Sequence, residues 1–202
     1  MIVTVSNEYG SGALDVARRV AAALGYEYVD EQLPVVVAKR LRVAPEAVVA
    51  SEEASPTLGQ RLLSSLELAT PELAAASAAE PLPEALVRAV REAVREYAMR
   101  GNVVIVGRGA SAILSGWTGV VRVFLHAPRQ WRIERLAEST HVSADVARAE
   151  VERIDRARAA HMRQWYGVTF GDSANYDLSI DTSALSAQRC ADLIVAAVRA
   201  RE

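Results

Sequence analysis

Two glycines at Gly10 and Gly12 bracket Ser11, directly after the β-branched run Ile2-Val3-Thr4-Val5 and directly before a helical pattern. A strand, glycine turn and helix in that order aim backbone N–H groups and a positive helix end at an anion. The full phosphate-loop pattern is Gly-x-x-x-x-Gly-Lys-Ser/Thr. Aligned on Gly12, this chain has Asn7 for the first glycine, Ala13 for the lysine and Leu14 for the hydroxyl residue. The ammonium that reaches terminal phosphates and the hydroxyl that holds Mg²⁺ are therefore both absent. Glu8 and Asp15 add negative charge beside the same turn, although Asp15 also complements the helix dipole. A turn with a purely structural role would use the same residues.

A second constellation is Arg153-Ile154-Asp155-Arg156-Ala157-Arg158, on one helix. Three guanidinium groups could neutralise a transferring phosphoryl group. Arg158 lies five residues beyond Arg153, so the three cannot share one narrow face. The competing reading is a solvated face with intrahelical pairs such as Glu152–Arg156. A third is Arg108, flanked by Gly107 and Gly109 after the apolar run Val103–Val106. Asp30 closes another short strand and serves equally well as an N-cap. Other chemistry finds no support. His126, His141, His161 and Cys190 lack zinc-ligand spacing, which leaves no metal site. There is no Gly-x-Ser-x-Gly elbow, and the glycine turn lacks the third glycine of a dinucleotide fingerprint. Trp117, Trp131 and Trp165 read as packing residues.

The elements that must position these residues alternate in type. Strands are expected at 2–5, 26–29, 103–106, 120–125 and 176–181. Helices are expected at 14–21, 35–41, 46–49, 58–66, 85–100, 110–114, from Pro128, from Ser143 to about Trp165, and at 187–200. Strands alternating with helices predict an α/β fold with a parallel sheet covered on both faces. Such sheets bind ligands at the carboxyl ends of their strands. Those ends carry the Gly10–Gly12 turn, Asp30, Gly107-Arg108-Gly109 and His126.

Composition narrows the class. A single domain fits 202 residues, and 51% hydrophobic residues allow a core without staples. A net charge of −2 argues against general nucleic-acid binding. One cysteine excludes an internal disulfide, and the absence of a signal peptide or an 18-residue apolar run predicts a cytoplasmic protein with no membrane span. Of the 23 cations, Lys39 is the sole lysine, a bias that suits phosphate recognition but that genome composition also produces.

In their order along the chain, Val5-Ser6-Asn7-Glu8-Tyr9-Gly10-Ser11-Gly12, Tyr28-Val29-Asp30, Val104-Ile105-Val106-Gly107-Arg108-Gly109, Val123-Phe124-Leu125-His126-Ala127-Pro128, the Arg153–Arg158 run, Tyr166-Gly167 and Tyr176-Asp177-Leu178 resemble the cytidylate kinase-like family, related to nucleoside monophosphate kinases. The resemblance spans residues 1 to about 200 and is weakest over 43–84. It implies a single P-loop-type domain over 1–202 with a five-stranded parallel sheet, a helical segment at about 43–100 and a helical lid at about 139–172. It implies phosphoryl transfer from ATP to an acceptor such as CMP, with Mg²⁺. By position, Gly10, Ser11, Gly12, Ala13 and Leu14 would hold donor phosphates, Asp30 and Arg108 would face the acceptor, and Arg153, Asp155, Arg156 and Arg158 would form the lid's catalytic group. The departures at Asn7 and Ala13-Leu14-Asp15 predict a degenerate phosphate loop, and Gly109 stands where the family has an acidic residue after the Gly-Arg pair. The alternatives are a noncatalytic nucleotide-binding protein and a scaffold that self-associates through residues 58–100, using Leu62, Leu66, Val87, Val90, Val94 and Tyr97.

Overall fold

The computed structural model describes residues 1–30, 32–46, 48 and 82–202. Its elements are β1 (Ile2–Asn7), α1 (Ala13–Leu24), β2 (Glu27–Val29), α2 (Gln32–Leu41), α3 (Leu82–Arg100), β3 (Val103–Val106), α4 (Ala110–Ile113), β4 (Val120–His126), α5 (Arg129–Thr140), α6 (Ala144–Tyr166), a 3₁₀ turn at Ser173–Asn175, β5 (Leu178–Asp181) and α7 (Ala187–Arg199). The five strands are all parallel, in the order β2-β3-β1-β4-β5. The expected α/β fold with a doubly covered parallel sheet is the observed one. The predicted helix at 58–66 and two of the four residues of that at 46–49 lie outside the described residues.

The strands are almost continuously apolar because both faces of the sheet are covered. Along β3, Val103 and Ile105 pack on one side with α2, α3 and α4, while Val104 and Val106 pack on the other with α1 and α7. The period of two in a strand sends alternate residues to the two layers. Val90, Val94 and Tyr97 of α3 are buried in the first layer, and Val87 is buried as well. All four side chains are buried within the chain. Leu62 and Leu66 lie outside the described residues.

In this strand order β1 is central and has β3 and β4 as neighbours. From β1 the chain goes to the edge strand β2, returns to β3 beside β1, and then crosses to β4 on the other side, so the order reverses beside β1. A crevice forms outside the carboxyl ends at such a reversal. Residues 8–12 occupy it. A third, small apolar cluster of Ile133, Ala147 and Val151, with Tyr9 and Leu136 against it, seats the helices α5 and α6 above this crevice.

Candidate active site

The glycine turn begins where β1 ends. Gly10 and Gly12 both have positive φ, at 82° and 79°, a conformation that costs other residues roughly 1–2 kcal/mol. Gly12 is also the N-cap of α1 and provides no side-chain oxygen for the helix's first N–H groups. The hydroxyl of Ser11 is buried and has no hydrogen-bond partner. Unsatisfied donors at a helix start next to an unpartnered buried hydroxyl form an environment that fits an anion such as a phosphate. Ala13 is buried, and Leu14 is partly exposed at the edge of the cleft.

The cleft has a volume of about 550 Å³. Its floor is the turn together with Ser6, Asn7 and Gly107. Four guanidinium groups from four different elements line it: Arg18 of α1, Arg108 after β3, Arg135 of α5 and Arg158 of α6. Asp15 and Asp30 are its carboxylates, and His161, Met162 and Phe170 line the side formed by α6 and the segment after it. Asp15 is paired with Arg19 at 3.0 Å. Asp30 accepts a hydrogen bond from the Tyr28 hydroxyl at 3.2 Å. Burial, with the Asp30 charge beside it, pushes the Tyr28 hydroxyl up to about 12, against the opposing effect of Arg18. Tyr28 therefore stays a neutral donor that orients Asp30.

Helix geometry sorts the residues of the arginine run. At about 100° per residue, Asp155, Arg158, His161 and Met162 fall on one face, while Arg153 and Arg156 fall on the opposite one. Arg158 NH1 donates to the Asn7 carbonyl at 2.9 Å and its guanidinium lies 5.7 Å from the Tyr9 ring centroid. Arg153 is exposed and bonds Glu150 at 2.8 Å, and Arg156 is exposed. Neither lines the cleft, so the expected clamp of three lid arginines reduces to Arg158 from this helix. Glu152 meets Arg129 at 3.4 Å, not the Arg156 expected from the sequence. Asp155 also stays off the cleft. Its Oδ1 accepts from the Tyr9 N–H at 2.9 Å and its Oδ2 from Arg132 NH1 at 2.6 Å.

After β3, Gly107, Arg108 and Gly109 all have positive φ, at 67°, 57° and 65°. A left-handed Arg108 is a strained conformation of the kind that clusters at ligand sites. The C-terminal end of α6 packs directly on this turn. A Cβ at Gly109 would lie 2.6 Å from Tyr166 Cε2, so the missing side chain is the slot for that ring. Arg91 of α3 lies 5.0 Å from the Tyr166 ring centroid and donates to the Trp165 carbonyl. His126, at the end of β4, lines neither cleft; its carbonyl accepts from Thr182 at 2.9 Å.

Arg132 and Arg135 carry much of the site and were missed in reading the sequence. The available signal was Arg129, Arg132 and Arg135 at three-residue spacing just past the end of β4. Arg135 lies so close to the turn that a Cβ on Gly12 would be 3.1 Å from its NH2. It stacks over Trp131 at 5.4 Å. Together with Ser11, Gly12 and residues 182–187, these two side chains line a second cleft of about 350 Å³.

A triphosphate fits this arrangement, because the turn, the Ser11 hydroxyl and Arg135 converge on one space. Mg²⁺ fits less well. Leu14 replaces the loop hydroxyl, and no group of three metal-ligating side chains exists among the described residues.

Comparison with known proteins agrees with this geometry. The chain is 25% identical to the cytidylate kinase of Halobacterium salinarum over 205 residues, covering 99% of this chain and 90% of that protein. It is 26% identical to the cytidylate kinase of Ignicoccus hospitalis, covering 96% of each. Among solved structures, an uncharacterized protein from Eubacterium ventriosum superposes over the whole chain with a TM-score of 0.69 at 20% identity. Shikimate kinase from Acinetobacter baumannii does so with a TM-score of 0.55 at 12% identity, covering 94% of that chain. These likenesses establish the kinase-type fold. The cytidylate kinase-like family profile matches residues 2–184, and the chain belongs to that family.

Proposed function

We propose that this protein transfers a phosphoryl group from ATP to a nucleoside monophosphate of the cytidylate class. The observation that carries the reading is the convergence of Arg18, Arg108, Arg135 and Arg158 on a glycine turn with an unpartnered hydroxyl. Phosphoryl transfer needs little covalent work from the protein; it needs positioning and charge neutralisation. In this reading the backbone of Gly10, Ser11, Gly12, Ala13 and Leu14 cradles the donor phosphates. Arg135 lies over them, at the junction with the second cleft, which takes the donor base. Arg108 binds the acceptor phosphate and Asp30 accepts a hydrogen bond from an acceptor hydroxyl. Arg158 leaves the Asn7 carbonyl and meets the charge that spreads over the transferring group. Tyr166, seated on Gly109, closes the lid side against water.

ATP is here the substrate. Mg²⁺ would neutralise phosphate charge if it binds, with Asp15 and Asp30 the carboxylates that face the cleft. No step is assigned to it, because the loop hydroxyl is lacking.

Ala13 and Leu14 favour a second reading, nucleotide binding without turnover. Losing a loop cation is expected to cost about 3–5 kcal/mol of transition-state stabilisation, by analogy with a single catalytic arginine. We therefore expect measurable ATP binding and slow CMP phosphorylation, abolished by Arg158→Ala. Calorimetric titration with ATP, followed by a coupled ADP-release assay against each monophosphate, tests both readings. Turnover at ordinary kinase rates of about 1–100 per second would refute the penalty assigned to Ala13. Absence of ATP binding would refute the functional reading itself.

A further inference from the structure

Arg132 is buried, with its side chain only 4% exposed, yet it faces neither cleft. Its Nε donates to the Ala127 carbonyl at 3.0 Å and lies 3.3 Å from Glu8 Oε2. Its NH1 donates to the Tyr9 carbonyl at 2.9 Å and to Asp155 Oδ2 at 2.6 Å. Asp155 Oδ1 in turn accepts from the Tyr9 N–H, so the pair holds both polar groups of that residue. Glu8 Oε2 also accepts from the Ala127 N–H at 3.2 Å. The fit is close on the other side as well: a Cβ on Gly10 would lie 3.1 Å from the Arg132 carbonyl oxygen.

A buried ion pair of this kind is weak evidence for stability, since an apolar set of similar volume often does as well. Its placement suggests a different role. Two carboxylates, Glu8 and Asp155, flank a turn built for polyanions, and uncompensated they would repel a phosphate. Asp155 also lies one helical turn before Arg158, on the same face of α6.

We propose that Arg132 is a positioning residue for the phosphate site. It neutralises Glu8 and Asp155, fixes the Tyr9 peptide of the glycine turn, and through Asp155 sets the rotation of α6 that brings Arg158 to the cleft. This inference rests on the nucleotide-binding reading above. It explains how an anion site functions beside two acids without a loop lysine: the compensating cation is buried behind the turn.

The test uses the full-length wild type, Arg132→Met, Arg132→Lys, Asp155→Asn and the Arg132→Met/Asp155→Asn double variant. ATP affinity is measured by calorimetry at a temperature where circular dichroism shows each to be folded. Arg132→Met is expected to weaken ATP binding roughly tenfold or more, the effect of an uncompensated charge within about 10 Å of a phosphate. Arg132→Lys keeps the charge but loses the planar fork, and is expected to bind ATP with intermediate affinity. It also keeps the test open if Arg132→Met fails to fold. Adding Asp155→Asn to Arg132→Met should recover part of the lost affinity, which a merely structural role would not produce. Wild-type binding with unchanged affinity in the folded Arg132 variants, or no recovery in the double variant, overturns this inference alone. No ATP binding by the wild type overturns the functional reading beneath it.

Discussion

Replacing Gly109 by alanine probes how the lid is seated, and its cost can be built from two parts. The backbone at this position has φ 65°, and an L-residue held there costs roughly 1–2 kcal/mol. The new Cβ would also sit 2.6 Å from Cε2 and 2.7 Å from Cζ of Tyr166, well inside contact distance. The ring cannot slide freely, because Arg91 lies over it and the adjacent Trp165 carbonyl is bonded to α3. Relieving that overlap is an overpacking problem worth about 1–3 kcal/mol. Gly109→Ala is therefore expected to destabilise the protein by about 2–5 kcal/mol. In a Tyr166→Ala background the overlap is gone, and only the backbone cost of roughly 1–2 kcal/mol should remain. Urea denaturation of the four proteins gives the coupling between the two sites directly. An equal cost of Gly109→Ala in both backgrounds would refute the claim that the glycine exists to admit the tyrosine ring.

Other expectations follow from the same contacts. Asp177 accepts from Arg122 N at 2.8 Å, from the Arg122 guanidinium at 3.1 Å and from Arg201 at 3.2 Å. Burial raises its carboxyl, but these partners outweigh burial and hold it well below the ordinary aspartate value. A depressed carboxylate stabilises the fold above its unfolded pKa and loses that contribution as pH falls through the folded value. Asp177→Asn should thus cost about 2 kcal/mol near neutral pH, and the deficit should shrink in acid melts below about pH 4; a deficit independent of pH would count against the pairing. For the lid, Asp155, Arg158 and Tyr166 tie the second half of α6 to the body before any ligand binds. Amide exchange should be slower at 155–166 than at 144–150 without nucleotide, and the change on adding ATP should concentrate in 139–153. A uniform change across 139–172 would refute this division of the segment.

Much of this architecture was legible from the chain because it rests on local rules. Alternating apolar strands and amphipathic helices specify a parallel sheet with two covered faces, and the helix starts expected after the glycine turn and at Ser143 are the observed ones. The positions of the glycine turn, Asp30 and Arg108 around the cleft were also readable, since a strand end in such a sheet is already a ligand position. Which arginine meets which acid was not readable, because it depends on how helices rotate and cross. The run from Arg153 to Arg158 looks like one cluster, yet only Arg158 turns to the cleft once α6 packs through Ala147, Val151 and Ile154. Glu8 looks like a charge opposing an anion, and only the folded chain brings Arg132, 124 residues away in sequence, to neutralise it. Gly109 looks like a plain strand-ending glycine until Tyr166 arrives on it from the end of α6. Backbone periodicity is a property of neighbours along the chain, whereas charge compensation and ring packing join residues that tertiary folding alone brings together.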